Sequence, residues 1–433
     1  MAFVLCQPPS SNQGRDSLTL TMVSQARATA ALRGRFSRLG MWNIAALAVW
    51  LVIFLGLAVR ILANPNRATA FTVYRLAGFH WSKAQHLYED WRGFVYSPIS
   101  AVFFAPFGLM APGWGNLCWT WLNTGLFLSG VAAIVASGIC PGIRPKYYGV
   151  VFLLLIPLVL GNLDTGQANP SVIGLLLLAV AAATAQRWSV AALCVAAATY
   201  LKIYPLAVGL ILLLIAPRKF GWRLFLALLA LGILPFLFQH WSYVSQQYHE
   251  WAITRSADDR RLYPLKDVPL DLWFLLVRFG HLPIPGIVYT AFQVLSGGAI
   301  ALFCLVGVRK NWPKEWVLGG LLAFVCIWMT LCGPATELQT YVLLAPAVVL
   351  TLVDAFLGRR PVWLRIGLLM AYFLLVLAVA RVSFLPSQKG LWVLAIQPVA
   401  GLVFLVCCLA WFIRGSPWRH ESTTRSNSET LGV

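Results

Sequence analysis

Long uninterrupted apolar segments constrain the fold of this chain more than any other feature. The first, residues 42–62, holds 21 residues, and about 20 helical residues cross the apolar core of a bilayer. Similar segments recur as far as residue 413. They are continuous rather than alternating, which excludes a transmembrane β-barrel. We therefore predict an all-α, polytopic transmembrane helical bundle over residues 42–413, with polar cytoplasmic tails at 1–41 and 414–433.

The composition excludes several classes of protein. Hydrophobic residues make up 60% of the chain and charged residues only 11%, whereas a soluble domain has about 45–50% and roughly 25%. A soluble enzyme, a disordered chain and a nucleic-acid-binding domain are thereby excluded. The net charge of +19 is typical of Lys and Arg in cytoplasmic loops. The nine Cys contain no C-x-x-C spacing, so they predict neither a cysteine metal site nor a disulfide framework. We expect no metal and no cofactor.

Clusters of basic residues predict the topology. Because such clusters stay in the cytoplasm, we predict a multi-pass protein of the inner (plasma) membrane with both termini cytoplasmic. About 12 crossings satisfy this rule. In that arrangement segments 98–111 and 270–280 do not span and form short re-entrant or interfacial helices. The clusters are Arg218, Lys219 and Arg223; Arg309, Lys310 and Lys314; Arg359, Arg360 and Arg365; and Arg414, Arg419 and Arg425.

A second topology also gives about 12 crossings. It keeps segment 189–216 as one helix and lets 98–111 span, which places Lys202 in mid-membrane at a cost of at least ~2.5–3.5 kcal/mol. We favour the first topology, in which 189–216 breaks at residues 202–205 into two short spans. Those short halves would border a protein-lined, water-filled cavity.

Most carboxylates fall in segments predicted to face outward, so we look for chemistry there. The first outer segment, 63–97, combines aromatic rings with charged groups. Aromatic faces beside paired polar groups suit a carbohydrate, and they equally suit a loop at a headgroup surface. Its candidate residues are Tyr74, Arg75, Glu89, Asp90 and Tyr96.

Two further polar sites interrupt apolar sequence. The turn at 161–170 carries Asp164, Gln167 and Asn169; amide side chains both donate and accept hydrogen bonds, which suits sugar hydroxyls. A plain turn with a capping Asp is the alternative. Lys202 interrupts the segment after it, and an intramembrane Lys predicts a phosphate or carboxylate partner. Its alternative is a side chain that reaches back to the interface.

Two later outer segments hold the remaining candidates. Residues 241–270 include Arg260 and Arg261 among a mixture of charges, a pattern also typical of a solvated loop. Residues 333–341 carry the lone carboxylate Glu337, which lies in a catalytic segment or in a tight surface turn.

The ordered set of these pieces resembles glycosyltransferase family 87, the polyprenyl-phosphate-mannose-dependent mannosyltransferases of the GT-C type. The likeness covers roughly residues 42–350. It implies a membrane enzyme that moves a hexose from a polyprenyl-phosphate-linked sugar donor to a hydroxyl of a lipid or glycan acceptor, with inversion. The matching pieces are Phe71-x-Val73-Tyr74, Leu87-Tyr88, Phe94-x-Tyr96-x-Pro98, Pro106, Gly166-Gln167-x-Asn169 and Lys202-x-x-Pro205.

The resemblance also implies roles, with one departure. The family's catalytic Asp position holds Ala70, and its late His is not evident. The base expected in its place is Asp90, then Glu337, then Glu89; a divergent or inactive member is the alternative. Gln167 and Asn169 would bind sugar hydroxyls. For the phosphate the resemblance implies Lys202 with one Arg from Arg75, Arg255, Arg260 and Arg261.

Two other functions fit the same cavity. A transporter or flippase of a lipid-linked or small polar substrate would use it without chemistry. An O-antigen ligase or polymerase-type enzyme also has a large outer loop. Purified protein given a labelled donor separates enzyme from transporter, since only an enzyme turns the donor over.

Overall fold

Helices form the regular elements of the described chain. The computed structural model describes residues 40–88, 93–257, 263, 268–333, 336–384 and 391–414. Within those ranges the structure contains α-helices with short 3-10 and π-helical turns, and no strand. The all-α transmembrane bundle expected from the apolar segments is confirmed.

Nine of the described helices are long and apolar enough to cross a membrane. Four shorter apolar helices accompany them. The long group contains α1 (Met41–Ala63), α4 (Pro112–Ala136), α5 (Tyr148–Asp164), α9 (Pro217–Ile233), α11 (Gly286–Arg309), α12 (Lys314–Leu331), α13 (Ala345–Leu357), α14 (Val362–Phe384) and α15 (Leu391–Arg414), where α5, α9 and α13 reach spanning length with adjoining 3-10 turns. The short group contains α3 (Pro98–Leu109), α6 (Asn169–Thr184), α7 (Trp188–Leu201) and α8 (Leu206–Ile215). The polar helices α2 (Ala70–Ser82) and α10 (Trp241–Ala257) complete the set.

The break predicted at residues 202–205 is present. Helix α7 ends at Leu201 and α8 begins at Leu206. Lys202 is extended, with φ −151° and ψ 138°. Pro205 has no N–H to donate to the carbonyl of Leu201, and its ring would clash with that carbonyl, so the helix cannot continue through it. Segment 270–280 forms only a short π-helix, Phe274–Phe279. The count of about 12 crossings needs three of the short helices to span and remains a prediction.

Helix α6 lies at the centre of the bundle. It packs against α4 on one side and α7 on the other. Close approach to α4 rests on two glycines, Gly130 and Gly174, because a Cβ on Gly174 would come within 2.5 Å of the carbonyl oxygen of Leu126. Small residues are the usual means by which membrane helices approach so closely. This contact fixes the start of α6, where the polar turn of the sequence lies.

Candidate active site

The turn between α5 and α6 is held in one conformation by its neighbours. Gly166 has φ +68°, a region that glycine adopts without steric cost, and the N–H of Gln167 donates to the carbonyl of Asn162 at 2.9 Å. From α4, the indole N–H of Trp119 donates to the carbonyl of Gly166 at 2.8 Å. The amide of Asn123 donates to the carbonyl of Gln167 at the same distance. These bonds fix the main chain of the turn at Gln167, from which its side chain extends.

Tyr74 of α2 lies over this turn. Its hydroxyl is 3.2 Å from Gln167 Oε1 and 3.0 Å from the hydroxyl of Tyr96. Since Gln167 Oε1 can only accept, Tyr74 donates to it and accepts from Tyr96. Burial, then the neighbouring Tyr96, raises the pKa of Tyr74 well above its usual value, and the negative charge of Glu337 raises it further. Tyr74 therefore stays neutral and serves as a hydrogen-bonding group.

The segment that follows α12 docks on the same turn. Asn169 Nδ2 donates to the carbonyl of Gln339 at 3.1 Å, and Thr165 Oγ1 donates to Gln339 Oε1 at 3.1 Å. Glu337 is exposed beside them and lies within electrostatic range of Tyr74 and of Tyr204. The fold thus brings the predicted Glu337 to the predicted Tyr74, Gln167 and Asn169, although the sequence places it about 170 residues from that turn.

Four buried polar atoms around this segment have no hydrogen-bond partner among the described residues. Buried polar groups are nearly always satisfied in proteins, and these atoms adjoin the bonds described above: Gln397, for example, donates through Nε2 to the carbonyl of Leu338 at 3.0 Å. A ligand with hydroxyl groups could supply the missing partners. The atoms are Asn169 Oδ1, Tyr204 Oη, Thr336 Oγ1 and Gln397 Oε1.

Lys202 lies at the break between α7 and α8. Its Nζ is 5.8 Å from the ring centroid of Tyr204. Tyr204 is also close to Tyr96 and Glu337. The predicted cation and the predicted carboxylate therefore both lie within electrostatic range of Tyr204, so groups of opposite charge are available near one aromatic side chain.

Two other predicted residues lie apart from this cluster or in ion pairs. Asp164 binds both Arg60 and Arg67 at 3.0 Å, so its charge is neutralised within the chain. Arg75 donates to the carbonyl of Met110 at 3.4 Å, at the carboxyl end of α3, where a cation is favoured by the helix dipole. The remaining candidates, Glu89, Asp90, Arg260 and Arg261, lie outside the described residues.

The structure also reveals two groups that the sequence did not single out. His86 Nδ1 is 3.1 Å from Glu250 Oε1, joining residues 164 positions apart, so no local spacing could reveal the pair. Asp271 is 3% exposed; its Oδ1 accepts from the N–H of Phe274 at 3.0 Å. Burial raises its pKa to about 7. Within the described ranges, no three His, Cys, Asp or Glu residues are grouped to hold a metal ion.

Comparison with known proteins identifies the family. No curated protein matches the sequence. Among solved structures, the chain is similar to the crystal structure of ArnT from Cupriavidus metallidurans in the apo state, with 14% identity, a TM-score of 0.37, and coverage of 84% of this chain and 77% of that chain. The profile of glycosyltransferase family 87 matches residues 94–334. That match includes Tyr96, Gln167, Asn169 and Lys202 and spans more than half of the 433 residues. The predicted resemblance is thereby confirmed, and the chain belongs to glycosyltransferase family 87 as a multi-pass membrane glycosyltransferase.

Proposed function

We propose that the protein transfers a hexose, mannose in the first instance, from a polyprenyl-phosphate donor to an acceptor hydroxyl on the non-cytoplasmic face of the inner (plasma) membrane. The observation that carries this proposal is the meeting of polar groups from three separate segments at the start of α6: α2, the turn between α5 and α6, and the segment after α12. Those groups are Tyr74, Gln167, Asn169 and Glu337.

The reaction requires few groups. The acceptor oxygen attacks the anomeric carbon, the bond from that carbon to the phosphate oxygen breaks with inversion, and the acceptor proton passes to a carboxylate. Glu337 is a carboxylate within electrostatic range of Tyr74 and Tyr204, and we propose it as this base. Asp90 and Glu89 are the other candidates for this base. Lys202, at the break between α7 and α8, would stabilise the departing phosphate.

The sugar would bind at the turn between α5 and α6. Asn169 Oδ1 is buried and without a partner among the described residues, so it can accept a bond from a sugar hydroxyl. Gln167 Oε1 already accepts from Tyr74, which leaves its amide nitrogen for a second hydroxyl. Both side chains are fixed by buried bonds, and such pre-organisation favours selective binding of a small polar ligand.

The proposal is tested with the purified full-length protein in liposomes. Labelled polyprenyl-phosphate-mannose is supplied together with a lipid and glycan extract of the producing cells, and transfer and donor binding are both measured. We expect Glu337→Gln, Asp90→Asn or Glu89→Gln to lower turnover by about 10²–10⁴, the usual effect of losing a general base, while donor binding persists. Glu315→Gln is the matched control, because Glu315 is an exposed Glu in the first turn of α12, at the opposite end of that helix from the site.

Other results would contradict the proposal. If the donor enters the vesicles without turnover, the protein is a transporter of lipid-linked sugar. If all three isosteric variants keep full turnover, the base is another group. If the wild type transfers nothing but Ala70→Asp does, the protein is a member that lost its chemistry at the position where α2 begins.

A further inference from the structure

A second polar site lies at the far end of α6 from the candidate active site. A cleft of about 290 Å³ opens at the turn between α6 and α7. Helix α6 has 16 residues and is therefore about 24 Å long, so the cleft is separated from Asn169 by most of a bilayer. The lining residues are Gln186, Arg187, Trp188, Ser189, Val190 and Arg223.

The groups around this cleft are donors and cations. Helix α7 begins at Trp188, and the N–H groups in the first turn of a helix have no intrahelical acceptor. Arg187 is exposed immediately before that turn. Arg223 of α9 crosses to it and donates through Nε to Ser189 Oγ at 3.1 Å. Two arginines beside a helix amino terminus form an environment that attracts an anion.

Two independent features strengthen this assignment. Trp188 lines the cleft, and its indole N–H is buried with no hydrogen-bond partner within the described ranges. The sequence has no Asp or Glu from Thr165 to His249, so neither helix supplies a carboxylate that would neutralise the arginines. An anionic group of another molecule would complement this positive charge.

Apolar surface on these helices favours a lipid as that molecule. The lining residue Val190 is 48% exposed on α7, and Phe225, further along α9, is 63% exposed. Trp222 is also exposed, and the guanidinium of Arg223 lies 4.3 Å from its ring centroid. Trp and Arg in contact are typical of the headgroup level of a membrane. A free phosphate would use the arginines but not this apolar surface.

We propose that the cleft between α6, α7 and α9 binds the phosphate headgroup of an anionic phospholipid, with its acyl chains along the exposed faces of α7 and α9. Arg187, Arg223 and the first turn of α7 hold the phosphate. Because basic residues cluster where α6 meets α7 and where α9 begins, we predict that the lipid site lies in the cytoplasmic leaflet. The site is independent of the sugar-transfer chemistry proposed above.

Native mass spectrometry of the full-length protein in detergent tests this proposal. Phosphatidylglycerol and phosphatidylcholine are titrated separately, and the fraction of protein carrying lipid is measured. We expect wild-type protein to prefer phosphatidylglycerol and the double variant Arg187→Gln/Arg223→Gln to bind it at least tenfold more weakly. Arg309→Gln/Lys310→Gln is the matched control, because it removes the same charge from exposed residues at the end of α11.

A second variant keeps the test independent of folding. Arg187→Glu changes one exposed side chain and leaves the bond between Arg223 and Ser189 in place, and it should abolish the preference for phosphatidylglycerol. If Arg309→Gln/Lys310→Gln weakens phosphatidylglycerol binding as much as Arg187→Gln/Arg223→Gln does, the effect depends on net charge alone and the proposal is overturned. Equal binding of both lipids by wild type would also overturn it. Full competition by soluble glycerol phosphate would assign the cleft to a free phosphate rather than a lipid.

Discussion

Asn169 donates through Nδ2 to the main-chain carbonyl of Gln339 at 3.1 Å, across 170 positions of sequence. This bond joins the first residue of α6 to the segment that follows α12. It places Glu337 beside the turn that carries Gln167, and it leaves Asn169 Oδ1 buried without a partner among the described residues. The candidate active site depends on this contact, since Glu337 comes from one segment and the amides of Gln167 and Asn169 come from the other.

Tyr74→Phe should impair sugar transfer more than it impairs folding. The substitution removes the hydroxyl that bonds Tyr96 and Gln167, and an unsatisfied Gln167 costs about 1–3 kcal/mol. We expect at least a tenfold lower kcat/KM, measured with labelled donor. Tyr372→Phe is the control, because it removes another hydroxyl, bonded to the carbonyl of Leu154 at 3.0 Å, away from the site. If both variants lose kcat/KM to the same extent, Tyr74 has a structural role only.

Gly166→Ala should destabilise the turn between α5 and α6. Gly166 has φ +68°, and a Cβ there would lie 2.8 Å from the Cβ of Phe71. A non-glycine residue strained in this way costs roughly 1–3 kcal/mol, so the thermal midpoint and donor binding should both fall. Gly161→Ala meets nothing within 4 Å and lies within a helix, where Ala is favoured; its midpoint should stay level or rise. A Gly166→Ala protein as stable as wild type would contradict the assigned backbone.

Asp164→Asn separates an ion-pair role from a substrate-binding role. Its partner Arg60 is 56% exposed, against 17% for Asp164, and exposed pairs contribute about 0.2–1 kcal/mol. The geometry favours a small loss of stability with turnover retained. Thermal unfolding and transfer are measured on the same preparation. A large loss of turnover at unchanged stability would instead assign Asp164 to the substrate, as the sequence predicts.

Asp271 should make stability fall as the pH rises. Burial raises its pKa from 3.8 to about 7, so between these values the folded state binds more protons than the unfolded state and the free energy of unfolding decreases with pH. The contribution of Asp271 to the free energy of unfolding is fully present below about pH 4 and is lost as the pH rises past 7. Asp271→Asn mimics the neutral acid and should flatten the thermal midpoint between pH 5 and 8. Asp354→Asn is the control. It leaves the buried carboxyl of Asp271 in place, so the thermal midpoint should keep its dependence on pH.

Cysteine labelling tests the predicted orientation. In a chain without its native cysteines, a single Cys at Asn64 should react with a membrane-impermeant maleimide added outside intact cells. A Cys at Lys219 should react only after the cells are opened. Both positions are exposed, so a difference in labelling reports the membrane face rather than burial. External labelling at Lys219 would invert the topology and move the proposed lipid site to the outer leaflet.

Local sequence determined the helices and the turns of this protein. Apolar segments of spanning length predict helices because a chain in lipid has to satisfy its own backbone hydrogen bonds. The break at residues 202–205 follows from Lys202 and Pro205, and the turn at 166–169 follows from Gly166. Each of these features depends on residues within a few positions of one another, which is why periodicity and composition are sufficient to predict them.

Only the tertiary structure decided which of these segments meet. Gly130 and Gly174 let α4 approach α6, and Asn123 of α4 then bonds the main-chain carbonyl of Gln167. Glu337 joins the site through a segment about 170 residues from that turn. Asp271 is buried where its own segment meets that one, the N–H of Leu270 donating to the Thr336 carbonyl at 2.7 Å. Such contacts depend on how the faces of packed helices fit together. The residue pattern of one helix shows which of its faces is apolar, but not which other segment packs against that face.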